Sequence, residues 1–393
     1  MNKDLSTNLC GLRVAIVQPV LPRYRVPFFD LLARRTGMKL TILCDMTPSG
    51  SLTSVMPAPT FSAEHHRVRS VGPFMSHPAF LTAATSSRFD IAVLGWNMRI
   101  VELIPALVAG KAIGKPIMLW GHGFSKSEHP AKVRARDSLV SLSAGVIVYG
   151  GRTKERLIGS GIADNKVHLA QNAIDQSEIT AATARWTKDP YRLVAWQRLH
   201  NITPGELTVF ISRIEPDKRT DLLVEAFSRI AARRPAARLA IIGGGSDLQR
   251  LVVQIDSLGL ADRVHLTGPL YDEDAIAPWC LSAGCFAYPE AIGLSIYHAF
   301  GYGLPVVTSD NLESHNPEIE SLRPGENGLF YRHRDSEDFA DCVETVLSDS
   351  ATRARWRDRA LETVRGVGGF NLETMSEGYA HALSAAANSR QLS

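Results

Sequence analysis

Short apolar runs separated by amphipathic stretches constrain this 393-residue chain more than any other feature in it. RVAIVQP (Arg13 to Pro19) leads into the helical pattern PFFDLLARR and then into KLTILCD (Lys39 to Asp45), a strand, helix, strand unit. The rhythm continues through DIAVLGW, VELIPALVAGKAIG, PIMLWGH, GVIVYG, TKERLIGSG and KVHLAQN. Apolar runs without polar alternation are strands buried on both faces, so the fold class expected is α/β with parallel sheets covered by helices. In open parallel sheets ligands sit outside the carboxyl ends of the strands, which directs attention to the loops that follow them.

Between about Asp175 and Thr203 the pattern turns polar and helical, and a fresh strand, LTVFISR, starts at Leu207. The alternation then repeats to the end, giving two Rossmann-like domains, 1–190 and 191–370, with 371–393 a final helix packing back on the first domain and a frayed tail. At 45% hydrophobic and 21% charged residues the chain is ordinary globular material, long enough for two cores. A formal net charge of +3 creates no field that would select nucleic acid as partner. The five cysteines are odd in number and lack a C-x-x-C pair, so they read as buried reduced thiols. The opening residues lack a signal-peptide pattern, and no apolar run approaches the roughly 20 residues a membrane span requires. The expectation is a cytoplasmic protein, at most a peripheral one at the inner face of the membrane.

Three loops in the second half carry candidate chemistry. Arg213 and Lys218, in ISRIEPDKRTDLL, place a planar fork and a point charge where two cations could clamp a diphosphate; in isolation a solvated surface pair is the better account of them. Gly243, Gly244 and Gly245 end the next strand and allow close backbone approach, to a ligand or to a neighbouring loop, without the spacing of a dinucleotide fingerprint. In YPEAIGLSIYHAFGYGLPVV, Glu290 follows a strand, and Gly293, Leu294 and Ser295 start a helix whose free N–H groups suit phosphate. His298 lies about one turn further on. Glu290 could equally be a carboxylate placed to suit a helix dipole, and His298 a packed core histidine.

Once these pieces are taken in order, ISRIEPDKRTDLLVEAF, ARLAIIGGGSDLQRL, DRVHLTGPL, YPEAIGLSIYHAFGYGLPVVTSD and NPEIESLRPGENGLFY, the second half resembles the nucleotide-binding half of the group-one, or family-four, retaining glycosyltransferases of GT-B architecture. The first half is similar, more loosely, to members acting on polysaccharide or lipid-linked acceptors, through QPVLPRYRVPFFDLLARR, GKPIMLWGHGFSKS and KVHLAQNAID. The resemblance implies two facing Rossmann-like domains and a nucleotide-sugar substrate. Arg213 and Lys218 would neutralise its diphosphate, where charge builds as the glycosidic bond breaks. It implies that Glu290 contacts hydroxyls of the donor sugar, that Gly243, Gly245, Gly293, Leu294 and Ser295 line the donor site, and that His122, in WGHG, approaches the sugar beside its reacting carbon. Relatives carry a second glutamate eight residues after the first, where it holds the ribose; here that position is His298.

The first loop also departs from the family. In place of a glycine pair it offers Arg23, Tyr24 and Arg25, which could bind a phosphate on a saccharide or polyprenyl-linked acceptor, or be solvated cations. The following PFFDLLARR could rest a basic side on a membrane, although its apolar face suits a core. No D-x-D signature lies in a suitable loop and the histidines lack ligand spacing, so no metal and no cofactor is expected; His65 and His66 read as surface loop. The function implied is retaining transfer of a sugar from a nucleotide sugar to a saccharide or lipid-linked acceptor. The rivals are a nucleotide-sugar epimerase and a catalytically silent binding subunit.

Overall fold

A computed structural model describes residues 8–47, 54–123 and 129–391. The chain forms two compact units, one of Met1–Asp175 with Leu372–Ser393, the other of Gln176–Asn371.

The first unit is built on strands β1 (Arg13–Val17), β2 (Lys39–Cys44), β3 (Ser62–His65), β6 (Ile91–Gly95), β7 (Ile117–Gly121), β8 (Gly145–Val148) and β9 (Val167–Leu169). They pair in parallel in the order β3-β2-β1-β6-β7-β8-β9, with a small hairpin, β4 (Arg69–Val71) and β5 (Phe74–Ser76), set apart. Successive side chains of a strand face opposite ways, so one apolar run feeds two cores. Val14 and Ile16 join one cluster with Phe28 and Phe29 of α1 (Val26–Thr36), while Ala15 and Val17 join another with Phe80 of α2 (Ala79–Thr85) and Leu107 of α3 (Leu103–Ala112). Further along the chain lie α4 (Pro130–Ser138) and α5 (Gly151–Gly159).

The second unit starts with α6 (Ser177–Thr187) and α7 (Pro190–Leu199). Its strands are β10 (Leu207–Ile211), β11 (Arg238–Ile242), β12 (Val264–Gly268), β13 (Ala283–Tyr288), β14 (Val306–Ser309) and β15 (Gly328–Tyr331). They form a second parallel sheet, ordered β12-β11-β10-β13-β14-β15. Its helices are α8 (Thr220–Arg233), α9 (Leu248–Ser257), α10 (Glu273–Ser282), α11 (Ser295–Gly301), α12 (Ser336–Ser348) and α13 (Ser350–Arg365). The last helix, α14 (Leu372–Gln391), belongs to the first unit, where Met375, Tyr379 and Leu383 are fully buried in the same cluster as Phe28.

Three sequence readings need correction. The boundary falls at Asp175/Gln176 rather than at 190, because α6 and α7 pack on α10: Arg185 Nε lies 2.9 Å from Asp274 Oδ1, Trp186 Nε1 donates to the Asp274 carbonyl at 3.0 Å, and Gln197 Nε2 donates to Ser282 Oγ at 3.0 Å. His65 is not loop but part of edge strand β3, its Nδ1 accepting from the Met46 N–H at 3.0 Å. Of the five thiols, Cys10 is exposed, while Cys44, Cys280 and Cys285 are buried and Cys342 is partly so; all five are free.

Candidate active site

In both sheets the strand order reverses beside the first strand of the unit, at β1/β6 and at β10/β13. Such a reversal splays the loops at the carboxyl ends and opens a crevice, the usual ligand position in an open α/β sheet. In the second unit the two loops flanking that reversal are the one after β10, with Arg213 and Lys218, and the one after β13, with Glu290 and Gly293. Sequence positions 73 residues apart are thereby joined: Lys218 Nζ donates to the Ala291 carbonyl at 3.1 Å, besides pairing with Asp217 Oδ2 at 3.1 Å. Arg213 is exposed and Lys218 half-buried.

The loop after β13 is fixed largely through its backbone. Tyr331 Oη donates to the Pro289 carbonyl at 3.0 Å, and the Ile292 N–H donates to His315 Nδ1 at 3.2 Å. That bond makes Nδ1 of His315 the acceptor, so its Nε2 carries the proton and donates to the Ser309 carbonyl at 2.9 Å. His315 is therefore a loop-holding residue. A Cβ at Gly293 would sit 2.6 Å from Asn316 Nδ2, so a larger residue here would require the Asn316 amide to turn aside. Beneath the loops, Tyr288 Oη donates to Ser212 Oγ at 2.8 Å, and burial pushes its phenol up to about 12. Leu294 is the N-cap of α11 and Ser295 its first residue; the leading N–H groups of any helix lack intrahelical acceptors.

Glu290 stands between an imidazole and a guanidinium. His333 Nδ1, in the turn beyond β15, lies 3.0 Å from Glu290 Oε1, out of line for a hydrogen bond, and is also 3.2 Å from Ser309 Oγ. Arg219, whose φ of +51° is left-handed, pairs with Asp221 at 2.9 Å and feels the Glu290 charge; its guanidinium is raised above its usual value by the Asp221 hydrogen bond and then by these carboxylates.

His298 is partly buried. Its Nε2 lies 3.0 Å and 3.2 Å from the two oxygens of Glu273, and its buried Nδ1 has no hydrogen-bond partner. Tyr302 Oη donates to the same carboxylate at 2.6 Å.

Gly243 and Gly245 serve backbone packing. A Cβ at Gly243 would lie 1.8 Å from the Ser212 carbonyl oxygen, and one at Gly245 2.1 Å from that of Ile214. The Ile214 N–H donates to the Gly244 carbonyl at 2.9 Å, so these glycines dock the loop after β11 against the one that carries Arg213 and Lys218.

In the first unit His122 follows β7 and is exposed, with its ring 4.9 Å from that of Tyr149. Arg23 and Tyr24 are exposed on a single turn of 3-10 helix. Arg25 is not at their level: at 5% exposure it donates to Tyr149 Oη at 3.2 Å and stacks over the rings of Trp120 and Tyr149 at 5.0 and 5.5 Å. Tyr149 therefore gathers His122 and Arg25 into one cluster. The basic side of α1 is ion-paired, Arg34 to Asp30 at 2.7 Å and Arg35 to Glu377 at 3.1 Å, while Phe28, Phe29 and Leu32 are core.

Sequence reasoning did not single out Glu273, Tyr302, His333 or Arg219. Glu273 reads locally as a first-turn carboxylate after the N-cap Asp272, and His333 as one member of a polar turn. Their roles arise only where separate elements converge.

Residues 196–363 match the family described as glycosyl transferases group 1. The chain is 32% identical over 197 residues to a D-inositol 3-phosphate glycosyltransferase of Nocardia farcinica, covering 47% of this chain and 42% of the relative. It is 30% identical over 193 residues to the lipopolysaccharide core biosynthesis glycosyltransferase LpsE of Rhizobium meliloti, covering 48% of this chain and 53% of the relative. The match thus spans about half the length of these curated relatives. In fold the chain is similar to Anabaena HepE, solved in complex with UDP, with a TM-score of 0.68 at 17% identity over 95% of this chain and 99% of that one. The architecture is that of the GT-B glycosyltransferases, α/β with two Rossmann-like domains. The segment 196–363, which matches the group 1 glycosyl transferases, carries Arg213, Lys218, Glu290 and His298.

Proposed function

We propose that the chain is a retaining glycosyltransferase that moves a sugar from a nucleotide-sugar donor to a saccharide or lipid-linked acceptor. The observation that carries the reading is the joining of two loops at the β10/β13 reversal by Lys218 and Ala291, within a group 1 glycosyl transferase segment. Arg213 and Lys218 meet the diphosphate as negative charge grows on it, so their stabilisation is larger in the transition state than in the ground state. Gly293, Leu294 and Ser295 offer backbone N–H groups to the same phosphates, and Glu290 takes hydroxyls of the donor sugar. Attack on the face from which the diphosphate departs, with that phosphate receiving the acceptor's proton, preserves the anomeric configuration. His122 is assigned to the transferred sugar, and Arg23 with Tyr24 to a phosphate on the acceptor, Arg25 fixing their turn from below.

We place the reaction on the cytoplasmic side, with peripheral contact to the membrane where acceptors are lipid-linked. Among the described residues no helix is long and apolar enough to cross a membrane. The contact face we assign is not α1 but α3 and its approach, where Val101, Ile104 and Val108 are 48, 47 and 53% exposed at helical spacing, beside Lys111.

The test is incubation with a panel of nucleotide sugars and saccharide or polyprenyl diphosphate-linked acceptors, scoring glycoside and free nucleoside diphosphate by mass, with and without anionic vesicles. Transfer from one donor with the anomer retained, lost in Glu290→Ala and Arg213→Ala, is expected. Donor interconversion without acceptor would instead identify an epimerase. Tight donor binding with neither reaction would leave a binding subunit.

A further inference from the structure

Glu273 opens α10 just beyond β12, and its partners come from α11, which follows β13. Its carboxylate accepts from Tyr302 Oη at 2.6 Å and from His298 Nε2 at 3.0 Å. A carboxylate that served only the dipole of its own helix would not need two donors from another helix. The group is also not sealed in: the side chains of His298 and Glu273 are 15% and 16% exposed. His298 lies three residues beyond Ser295, so it shares a helical face with the start of α11 assigned to phosphate.

The chemistry at position 298 is what a ribose would find wanting. With Nε2 committed to Glu273 and Nδ1 buried, the imidazole offers a hydroxyl neither a free donor nor a free acceptor in this arrangement. The adjacent vicinal hydroxyls of a ribose are donors, and a carboxylate is the side chain that accepts from them in Rossmann-type sites. We infer that Glu273 is the ribose-recognising carboxylate of this chain, aimed by His298 and Tyr302, which act as positioning residues. The inference rests on the reading of the second unit as a nucleotide-sugar site. It makes Glu273 and His298 together the counterpart of one carboxylate at position 298.

Calorimetric titration of the full chain with UDP, GDP and ADP, and with the 2′-deoxy and 3′-deoxy forms of whichever binds, tests this directly. Wild type should prefer the ribonucleotide by about tenfold or more, the discrimination expected of a charge-assisted hydrogen bond. Glu273→Gln should bring the ratio close to one, and the double variant Glu273→Gln with His298→Glu should restore it by returning a carboxylate to the same pair of positions. A purely structural role for Glu273 would weaken all of the nucleotides alike and leave the ratio unmoved. Glu273→Asp, which keeps the charge but shortens its reach, gives the same comparison if the glutamine variant fails a melting test. An unchanged ratio in Glu273→Gln, with Lys218→Ala still weakening binding, overturns this inference and leaves the nucleotide-sugar reading standing. If no nucleoside diphosphate binds wild type, both fall.

Discussion

Gly245→Ala is a small change with a large expected effect. The added Cβ would lie 2.1 Å from the Ile214 carbonyl oxygen, and since real contacts do not fall below 3.0 Å, one loop must retreat by about 0.9 Å. The obstacle is backbone, not the end of a flexible side chain. The Ile214 N–H to Gly244 carbonyl bond ties the two loops together, so the retreat is transmitted to Arg213 and Lys218, which flank Ile214. A displacement of about 1 Å in groups that position a reacting centre can cost about 100-fold in rate. The expected result is kcat/KM for donor lower by about 100-fold. Gly159→Ala is the control, since its Cβ would meet nothing within 4 Å. The assay is initial-rate transfer with the donor identified by the panel, alongside calorimetric binding of its nucleoside diphosphate and a thermal melt. Wild-type nucleotide affinity and rate in Gly245→Ala would refute the argument that this glycine sets the cation loop. Equal losses in Gly159→Ala would show that the assay reports general destabilisation.

Three further outcomes are expected. His77 is 1% exposed with neither ring nitrogen hydrogen-bonded, and burial depresses its imidazole from 6.5 to about 4. Protonation then favours the unfolded chain: the group costs nothing above pH 6.5, stability falls as pH drops below it, and the loss levels off below about 4, reaching about 2 kcal/mol by pH 5. Urea titrations at pH 7.5 and 5 should show that much less acid sensitivity in His77→Phe; an identical pH slope would contradict the assignment. His333→Ala removes the imidazole 3.0 Å from Glu290 Oε1 and should lower kcat/KM for donor about tenfold, whereas an unaltered kcat/KM would separate His333 from Glu290 function. Arg25→Ala deletes a buried guanidinium bonded to Tyr149 and stacked on Trp120, and should destabilise the first unit by about 2 kcal/mol or more in thermal or denaturant melts. A change within about 0.5 kcal/mol would mean that the cation contributes nothing there.

The sequence by itself determined the strand and helix order, because each element declares itself within a window of its own: continuous apolar runs for buried parallel strands, helical periodicity between them. It also pointed to candidate loops for ligand chemistry, since loops after parallel strands and a glycine-led helix start are local signals. Arg213, Lys218, Glu290 and the Gly293–Ser295 start of α11 were singled out as candidates for that reason. The edge strand β3 and the β4–β5 hairpin were not, since short polar strands at a sheet edge have no apolar period to betray them.

Tertiary structure decided everything that depends on convergence. The domain boundary moved to residue 175 because α6 and α7 bury Trp186 and Gln197 against α10, a preference that polar, helical sequence does not express. Arg25 left its exposed neighbours for an aromatic cage that only the packing of β7, β8 and α14 creates. The carboxylates changed meaning as well. Glu273 and His298 are 25 residues apart in sequence and 3.0 Å apart in space, and His333 reaches Glu290 from across the sheet. Local sequence sets the period and the caps of an element, which depend on neighbours along the chain. Which charges meet is set by the order of strands in a sheet, and that order is a property of the whole unit.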